Sequence, residues 1–356
     1  MKATRNLRRP RVLIVGCGDV GMRCVPLLQP RAHVFALTSH AERRAELRAA
    51  GVTPLVGDLD ERRSLKRLAG LAPTVLHLAP PQKSGDDDRR TRALLATLGT
   101  RRDRALRAAR GAVAPVGRLR RMRASWAESE TANIVPDRVR WTAASRAPVR
   151  LVYASTTGVY GDCGGAWIDE TRATRATNPR ATRRVSAERQ LRRATVRRVV
   201  SASIARIPGI YAGNRLPLAR LDKRTPALID ADDVYTNHIH ADDLAAILVR
   251  MATHGRPARV IHASDDSALK MGEYFDVVAD AFGLERAPRI TRVEAEQQIE
   301  PTLLSFMRES RRLVNRRLKE ELRVRLRYPS VEDFLQDATS PAPSTSAPRR
   351  PLRRQV

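Results

Sequence analysis

Apolar residues in the first part of the chain fall into short runs separated by stretches with a helical stripe. The runs Arg11–Val15, His33–Leu37, Thr53–Val56 and Thr74–Leu78 read as strands. Between them, Val20–Gln29, Ala41–Ala50, Glu61–Leu71 and Arg89–Leu98 place apolar residues three and four apart and read as helices. Strand and helix alternating over short connections is the pattern of consecutive βα units, and so of a parallel sheet.

The pattern fails from about Gly99 to Pro148. Arg101–Arg123 is rich in arginine, alanine and glycine with weak periodicity, and a polar stretch holding Trp126 and Trp141 follows. Residues 100–148 read as an insertion, either a flexible surface segment or one or two helices. Order returns with a near-continuous apolar strand, Val149–Ala154, a helix over Asn178–Thr195 and a strand over Val199–Arg206. Ala241–Ala252 reads as a helix with Asp242 and Asp243 in its first turn, Arg259–Ala263 as a strand, Met271–Phe282 as an amphipathic helix, and Glu309–Glu321 as helix-like. Residues 340–356 are rich in proline, serine and alanine and then basic; they cannot bury enough apolar surface to offset the entropy of ordering them, so a disordered tail is expected.

Charge changes this picture little. The chain has 66 Lys+Arg against 38 Asp+Glu, a formal net charge of +28. Such a balance normally raises nucleic acid as a partner. Here the excess is nearly all arginine, spread along the chain and densest where the sequence looks least folded, as compositional drift in a GC-rich genome would also produce. Aromatic residues are only 4% of the chain, too few to supply stacking platforms, so the composition argues against nucleic acid. The three cysteines, Cys17, Cys24 and Cys163, form no CxxC pair and no zinc-type spacing, and they read as reduced thiols with no metal. No apolar run reaches the roughly 18–20 residues of a membrane span, and the basic segment 1–10 lacks a signal-type core, so a cytoplasmic protein is expected.

The sharpest local feature is Gly16-Cys17-Gly18-Asp19-Val20-Gly21, which follows the first strand and opens the first helix. That context suits a dinucleotide: Gly16 permits the tight turn, Gly18 lets the backbone approach a pyrophosphate, Gly21 lets helix and strand pack closely, and the N–H groups of the helix start face the anion. After the second strand the ribose-binding acid is missing. Thr38, Ser39 and His40 stand there, with Arg43 and Arg44 close behind, which leans the NAD(P) choice toward NADP; those arginines are equally a solvated helix face. Asp58 and Leu59 offer a carboxylate and a backbone N–H to the adenine, although Asp58 or Asp60 as a helix N-cap would look the same. Leu78, Ala79 and Pro80 follow the fourth strand on the edge where ligands bind, and His77 reads as packed.

Three further motifs occur in order: Tyr153-Ala154-Ser155-Thr156-Thr157-Gly158-Val159-Tyr160-Gly161, Arg206-Ile207-Pro208-Gly209-Ile210-Tyr211, and Asn237-His238-Ile239-His240-Ala241-Asp242-Asp243-Leu244-Ala245. With the glycine loop they resemble the short-chain dehydrogenase/reductase superfamily, in its extended and atypical branch of NAD-dependent epimerase/dehydratases. The resemblance covers most of the chain outside the insertion and the tail. It implies an α/β fold, a Rossmann-type doubly wound parallel sheet over residues 11–263 with a small C-terminal substrate lobe over 264–339, which the segments Arg206–Tyr211 and His238–Asp243 lead into and out of. It also implies NAD(P), a small-molecule substrate, and a homodimer through the helices beside the active-site strand.

For the site, the resemblance gives Thr156 the hydroxyl that meets the reacting oxygen, with Ser155 beside it; hydroxyls tying down a turn would read the same way. The family's acid/base tyrosine and its lysine one helical turn later fall on Arg180 and Arg184. Arginine is permanently protonated, so Arg180 cannot exchange a proton near neutral pH, while Arg184 keeps the lysine's charge and its ribose-binding role. Tyr160 is the substitute acid/base that the sequence offers. His238 and His240 read as packed or capping. Two functions therefore stand: an atypical epimerase/dehydratase-like oxidoreductase acting on a carbonyl, hydroxyl or nucleotide-sugar-like substrate, or an NAD(P)-binding sensor or scaffold that has lost catalysis.

Overall fold

The computed structural model describes residues 9–111 and 147–340. The expected tail and most of the insertion, including Trp126 and Trp141, lie outside the described residues, as does most of the basic segment 1–10. The strands β1 (Arg11–Val15), β2 (His33–Thr38), β3 (Thr53–Val56), β4 (Thr74–His77) and β5 (Val149–Thr156) join the strands Val200–Ile207 and Val260–His262 in one sheet of seven. Every pairing is parallel, and the order across the sheet is β3, β2, β1, β4, β5, then Val200–Ile207 and Val260–His262. The order reverses between β1 and β4, which opens a crevice at the C-terminal ends of those strands. This is the doubly wound fold that the sequence predicted.

Alternate residues of each strand feed opposite faces. Ile14, Ala36, Val152 and Ala205 pack with α1 (Asp19–Leu28), α2 (Arg44–Ala49) and the helix Ala241–His254. Leu13, Val15, Leu151, Tyr153 and Ile204 pack on the other face with α3 (Arg89–Gly111) and α4 (Pro179–Val196). Three layers result, with the strand ends of the middle layer free to carry a site.

Three expected elements differ. The Glu61–Leu71 helix is a 3-10 helix over Arg62–Leu68, because Leu65 and Leu68 are the buried pair at the three-residue repeat and Ser64 ties the turn back to Asp58. The pattern break at Gly99 is no boundary: α3 continues to Gly111, and Gly99 lies against Val199, whose Cγ1 would stand 3.3 Å from an added Cβ. The Glu309–Glu321 stretch is a strand, Arg312–Leu313, followed by a short helix, Arg316–Glu320. There the Asn237 amide accepts from Leu313 N at 2.9 Å and donates to the Arg311 carbonyl at 2.9 Å, tertiary bonds that outweigh local propensity.

The smaller lobe has its own core of Tyr274, Phe275, Val278, Tyr328, Val331 and Phe334. It also takes in Tyr211, Leu221 and Ala227, from a segment that the sequence assigned to the nucleotide domain. Two short parallel ribbons, Gly209–Tyr211 with His238–His240 and Trp167–Ile168 with Arg312–Leu313, fasten the lobe over the end of the sheet.

Candidate functional site

The glycine loop has the geometry its spacing implies. Gly16 sits at φ +87°, and a Cβ there would lie 2.5 Å from Ala79 N, so turn and neighbouring strand both demand glycine. A Cβ on Gly21 would meet Cys17 Sγ and the Gly16 carbonyl at 3.3 Å, the close approach of α1 to β1. Gly18 differs: an added Cβ would meet nothing within 4 Å. Gly18 is also the N-cap of α1, with no side chain over the helix start. The loop thus leaves its outer face open to a pyrophosphate, so the residues present fit a dinucleotide.

The Cys17 thiol points inward and burial pushes it up to about 11, so Cys17 offers a ligand only its backbone; burial likewise pushes Cys24 up to about 12. Asp19 forms ion pairs with Arg23 at 3.2 Å and Arg215 at 3.0 Å, while half-buried Val20 packs into the core beneath the loop. Around the ribose position, Ser39 is exposed and the Thr38 hydroxyl bonds the backbone of His40. Arg43 lies against the loop, Nη1 donating to the Cys17 carbonyl at 2.8 Å and the rest of its fork to Glu46. Farther along, Asp58 Oδ1 accepts from Asp60 N, Leu59 is buried, and Asp60 pairs with Arg90. Neither aspartate caps the next helix; Glu61 does. Leu78 and Ala79 both donate to the Val15 carbonyl, and the Pro80 carbonyl accepts from Arg90.

At the end of β5 the three expected hydroxyls part company. The Ser155 hydroxyl points to the α4 side and donates to buried Glu188 at 2.7 Å, so it is committed to the interior. Thr156 is half-buried; its Oγ1 accepts from Gly158 N at 3.3 Å and caps the 3-10 turn Thr157–Tyr160, leaving its own proton free for an acceptor. Tyr160 is a correction to the sequence reading. It is buried beneath the turn, its hydroxyl bonds His262 Nε2, its ring stacks on Arg206, and burial pushes its pKa up to about 12. Its hydroxyl is engaged inside the protein, with the Asp169 carbonyl as a second partner, rather than standing free beside Thr156.

Arg184 reaches the same strand end from α4. It donates to the Ala154 carbonyl and, at 3.3 Å, to the Tyr153 hydroxyl; it is 7% exposed and has no carboxylate partner among the described residues. Arg180 stands exposed one turn earlier, its pKa lowered by the surrounding protein and by the charge of Arg184. His77, beside Tyr153, is buried and bonds Thr91; burial, with Arg184 and Arg90, drives its pKa down to about 3. His238 stacks on Tyr274 at 4.2 Å and is held down to about 4 by burial, while His240 caps its helix. Among the described residues no group of His, Cys, Asp or Glu could hold a metal, and no helix is long and apolar enough to cross a membrane.

One charged pair escaped the sequence reading. Glu309 accepts from Thr177, Asn178 and Arg311, and its Oε2 lies 3.9 Å from where a Gly158 Cβ would be, so the lobe sets a carboxylate over the Thr156 turn. The helix expected from Glu309 onward hid it.

The family model for "NAD dependent epimerase/dehydratase family" matches residues 12–263. No curated protein matches the chain. Among solved structures, a functionally unknown conserved protein from Silicibacter pomeroyi is similar at 26% identity and a TM-score of 0.65, over 92% of this chain and 97% of that one. A dTDP-glucose 4,6-dehydratase from Bacillus anthracis, in complex with NAD, is similar at 13% identity and a TM-score of 0.65, over 93% of this chain and 95% of that one. The UDP-glucose 4-epimerase of Thermotoga maritima, with UDP-glucose, is similar at 14% identity and a TM-score of 0.64, over 92% of this chain and 97% of that one.

Proposed function

The chain belongs to the NAD dependent epimerase/dehydratase family, and from that premise we propose that it binds NAD(P) on the glycine loop and acts on a small hydroxyl- or carbonyl-bearing substrate of nucleotide-sugar-like type. The observation that carries the reading is the loop itself, where strand and helix close around Gly16 and Gly21 while Gly18 faces open space. Gly18, Asp19 and Val20 would hold the pyrophosphate, Thr38, Ser39 and Arg43 the adenosine ribose, Asp58 and Leu59 the adenine, and Leu78 to Pro80 the path toward the nicotinamide. A bound dinucleotide supplies the hydride donor or acceptor. Thr156 donates its free proton to the reacting oxygen, and Arg184 supplies fixed positive charge beside it. The absence of an acid at positions 37–40 and the contact of Arg43 with the loop support NADP. The substrates named for the dehydratase and the epimerase support the nucleotide-sugar class.

A second reading, a nucleotide-binding protein without turnover, is favoured by the tyrosines. Tyr153 and Tyr160 are both buried, with pKa values pushed up to about 12, and Arg180 occupies the acid/base position. Calorimetric titration with NAD(H) and NADP(H) tests what the readings share. Gly18 has ordinary φ of −83°, so Gly18→Trp keeps the backbone and fills the pyrophosphate face; loss of binding in that variant is the expected result. Equal binding by variant and wild type would overturn both readings, and turnover on a panel of sugar-nucleotide and carbonyl substrates separates one from the other.

A further inference from the structure

Four arginines are buried among the described residues: Arg183, Arg184, Arg206 and Arg311. Two have carboxylates, Glu188 for Arg206 and Glu309 for Arg311. The other two are neighbours on α4 and have only neutral acceptors, the Gly85 carbonyl for Arg183 at 2.8 Å and the Ala154 carbonyl and Tyr153 hydroxyl for Arg184. The Nε of each is buried with no hydrogen-bond partner. Arg180 adds a third guanidinium on the same side of the helix, at the i, i+3, i+4 spacing, without an ion pair to the described residues. The acids nearby among the described residues are engaged elsewhere: Asp87 with Arg92, Ser186 and Gln190, Asp88 with Thr91, Glu188 with Arg206 and Ser155, and Glu309, over the Thr156 turn, with Arg311, Thr177 and Asn178.

Burying a guanidinium without counter-charge is costly, and here the start of α4, which has no acid in its first turn, adds positive potential of its own. Arg184 ties the cluster to the C-terminal end of β5, on the Ala154 carbonyl two residues before Thr156. We propose that Arg180 and Arg184, with Arg183 alongside, form a subsite for an oxyanion of the substrate, a carboxylate or a phosphate, held beside the hydroxyl or carbonyl that Thr156 meets. Exposed Arg180 offers the planar fork that an arriving group can meet, and the Arg184 guanidinium one turn along adds fixed positive charge beside it. This deepens the reading above and rests on it for the identity of the reacting oxygen; it narrows the substrates to those that carry an anion close to the reacting carbon.

The test is calorimetry of the full chain with oxalate and, separately, inorganic phosphate, at constant ionic strength so that the overall positive charge does not dominate. We expect one site, weakened at least about tenfold by Arg184→Met and several-fold by Arg180→Met, whose exposed position spares the fold. Arg193→Met, exposed farther along α4, should leave it unchanged. The ratio of oxalate to phosphate affinity tells which anion the site prefers. Equal affinities in wild type, Arg180→Met and Arg184→Met, or an equal loss in Arg193→Met, overturn the proposal. Gly18→Trp separates the two claims: it removes dinucleotide binding and leaves the anion site intact. Dinucleotide binding that survives Gly18→Trp sinks the cofactor reading alone.

Discussion

Of the charges that helix α4 buries, two that stand one turn apart have opposite fates. Glu188, 1% exposed, meets Arg206 in a two-point pair of 3.1 and 2.7 Å and takes the Ser155 hydroxyl as well. Arg184, one turn earlier, is 7% exposed and has no carboxylate partner among the described residues. The first arrangement ties α4 to β5 and to the strand Val200–Ile207, and its net effect is architectural. The second leaves donors unused at the edge of the sheet where ligands bind. Charge that is matched inside the protein builds the scaffold; charge left unmatched beside the cleft is kept for something that arrives.

The largest effect should come from breaking the matched pair. Arg206→Met leaves buried Glu188 with only Ser155 and the more distant, half-exposed Arg192, and removing one partner of a buried pair costs about 3–5 kcal/mol. Urea unfolding measures it, and Arg206→Met combined with Glu188→Gln should recover part of the loss. A single-variant loss below about 1 kcal/mol would show that the pair is not what holds α4 to the sheet.

How far the sequence could foresee this contrast depends on how local each cause is. The glycine loop was legible because turn, approach and packing are all fixed within residues 16–21, apart from Ala79, and the parallel sheet followed from repeated βα units, its doubly wound form from the family resemblance. The split between Ser155 and Thr156 was not legible: neighbours on a strand face opposite ways, and the partner that claims Ser155 lies 33 residues away on α4. Position 184 could be placed by its spacing to Ala187 and Glu188, but its burial without a counter-ion is a property of the packed sheet end. Glu309 was hidden because Asn237 and the ribbon with Trp167–Ile168 hold its neighbours extended against a helix-forming composition.

Acid sharpens the comparison from the matched side. His262 pairs with Arg206 in register, its Nδ1–H donating to the Val314 carbonyl and its Nε2 accepting from Tyr160. Burial first, and the charge of Arg206 further, drive its pKa down to about 4. The unfolded chain protonates that imidazole near 6.5, so between 6.5 and 4 the unfolded state takes up more protons. The stability contributed by the neutral ring is therefore complete above about pH 6.5 and is lost as pH falls toward 4. In His262→Gln that fall should shrink by about 2 kcal/mol between pH 7 and 4.5, whatever the variant's stability at neutral pH. Urea midpoints at pH 7 and 4.5 for both proteins check it, and identical slopes would mean that the ring is protonated in the folded protein.

The smallest effect is expected at Arg184 itself. In Arg184→Met the unmatched charge disappears, which relieves its repulsion with Arg180 and lets the His77 pKa rise from about 3. Against this gain, the Ala154 carbonyl and the Tyr153 hydroxyl lose a donor, and each lost bond to a charged group is worth about 1.5–3 kcal/mol before the cost of burying that charge is returned. The two contributions oppose each other, and the net change in unfolding free energy should stay within about 1 kcal/mol of zero, several-fold below that of Arg206→Met. A loss equal to that of Arg206→Met would mean that neutral acceptors alone repay the burial of Arg184. The guanidinium would then be part of the scaffold like its matched counterpart, and the premise of an anion subsite would fall with the contrast that produced it.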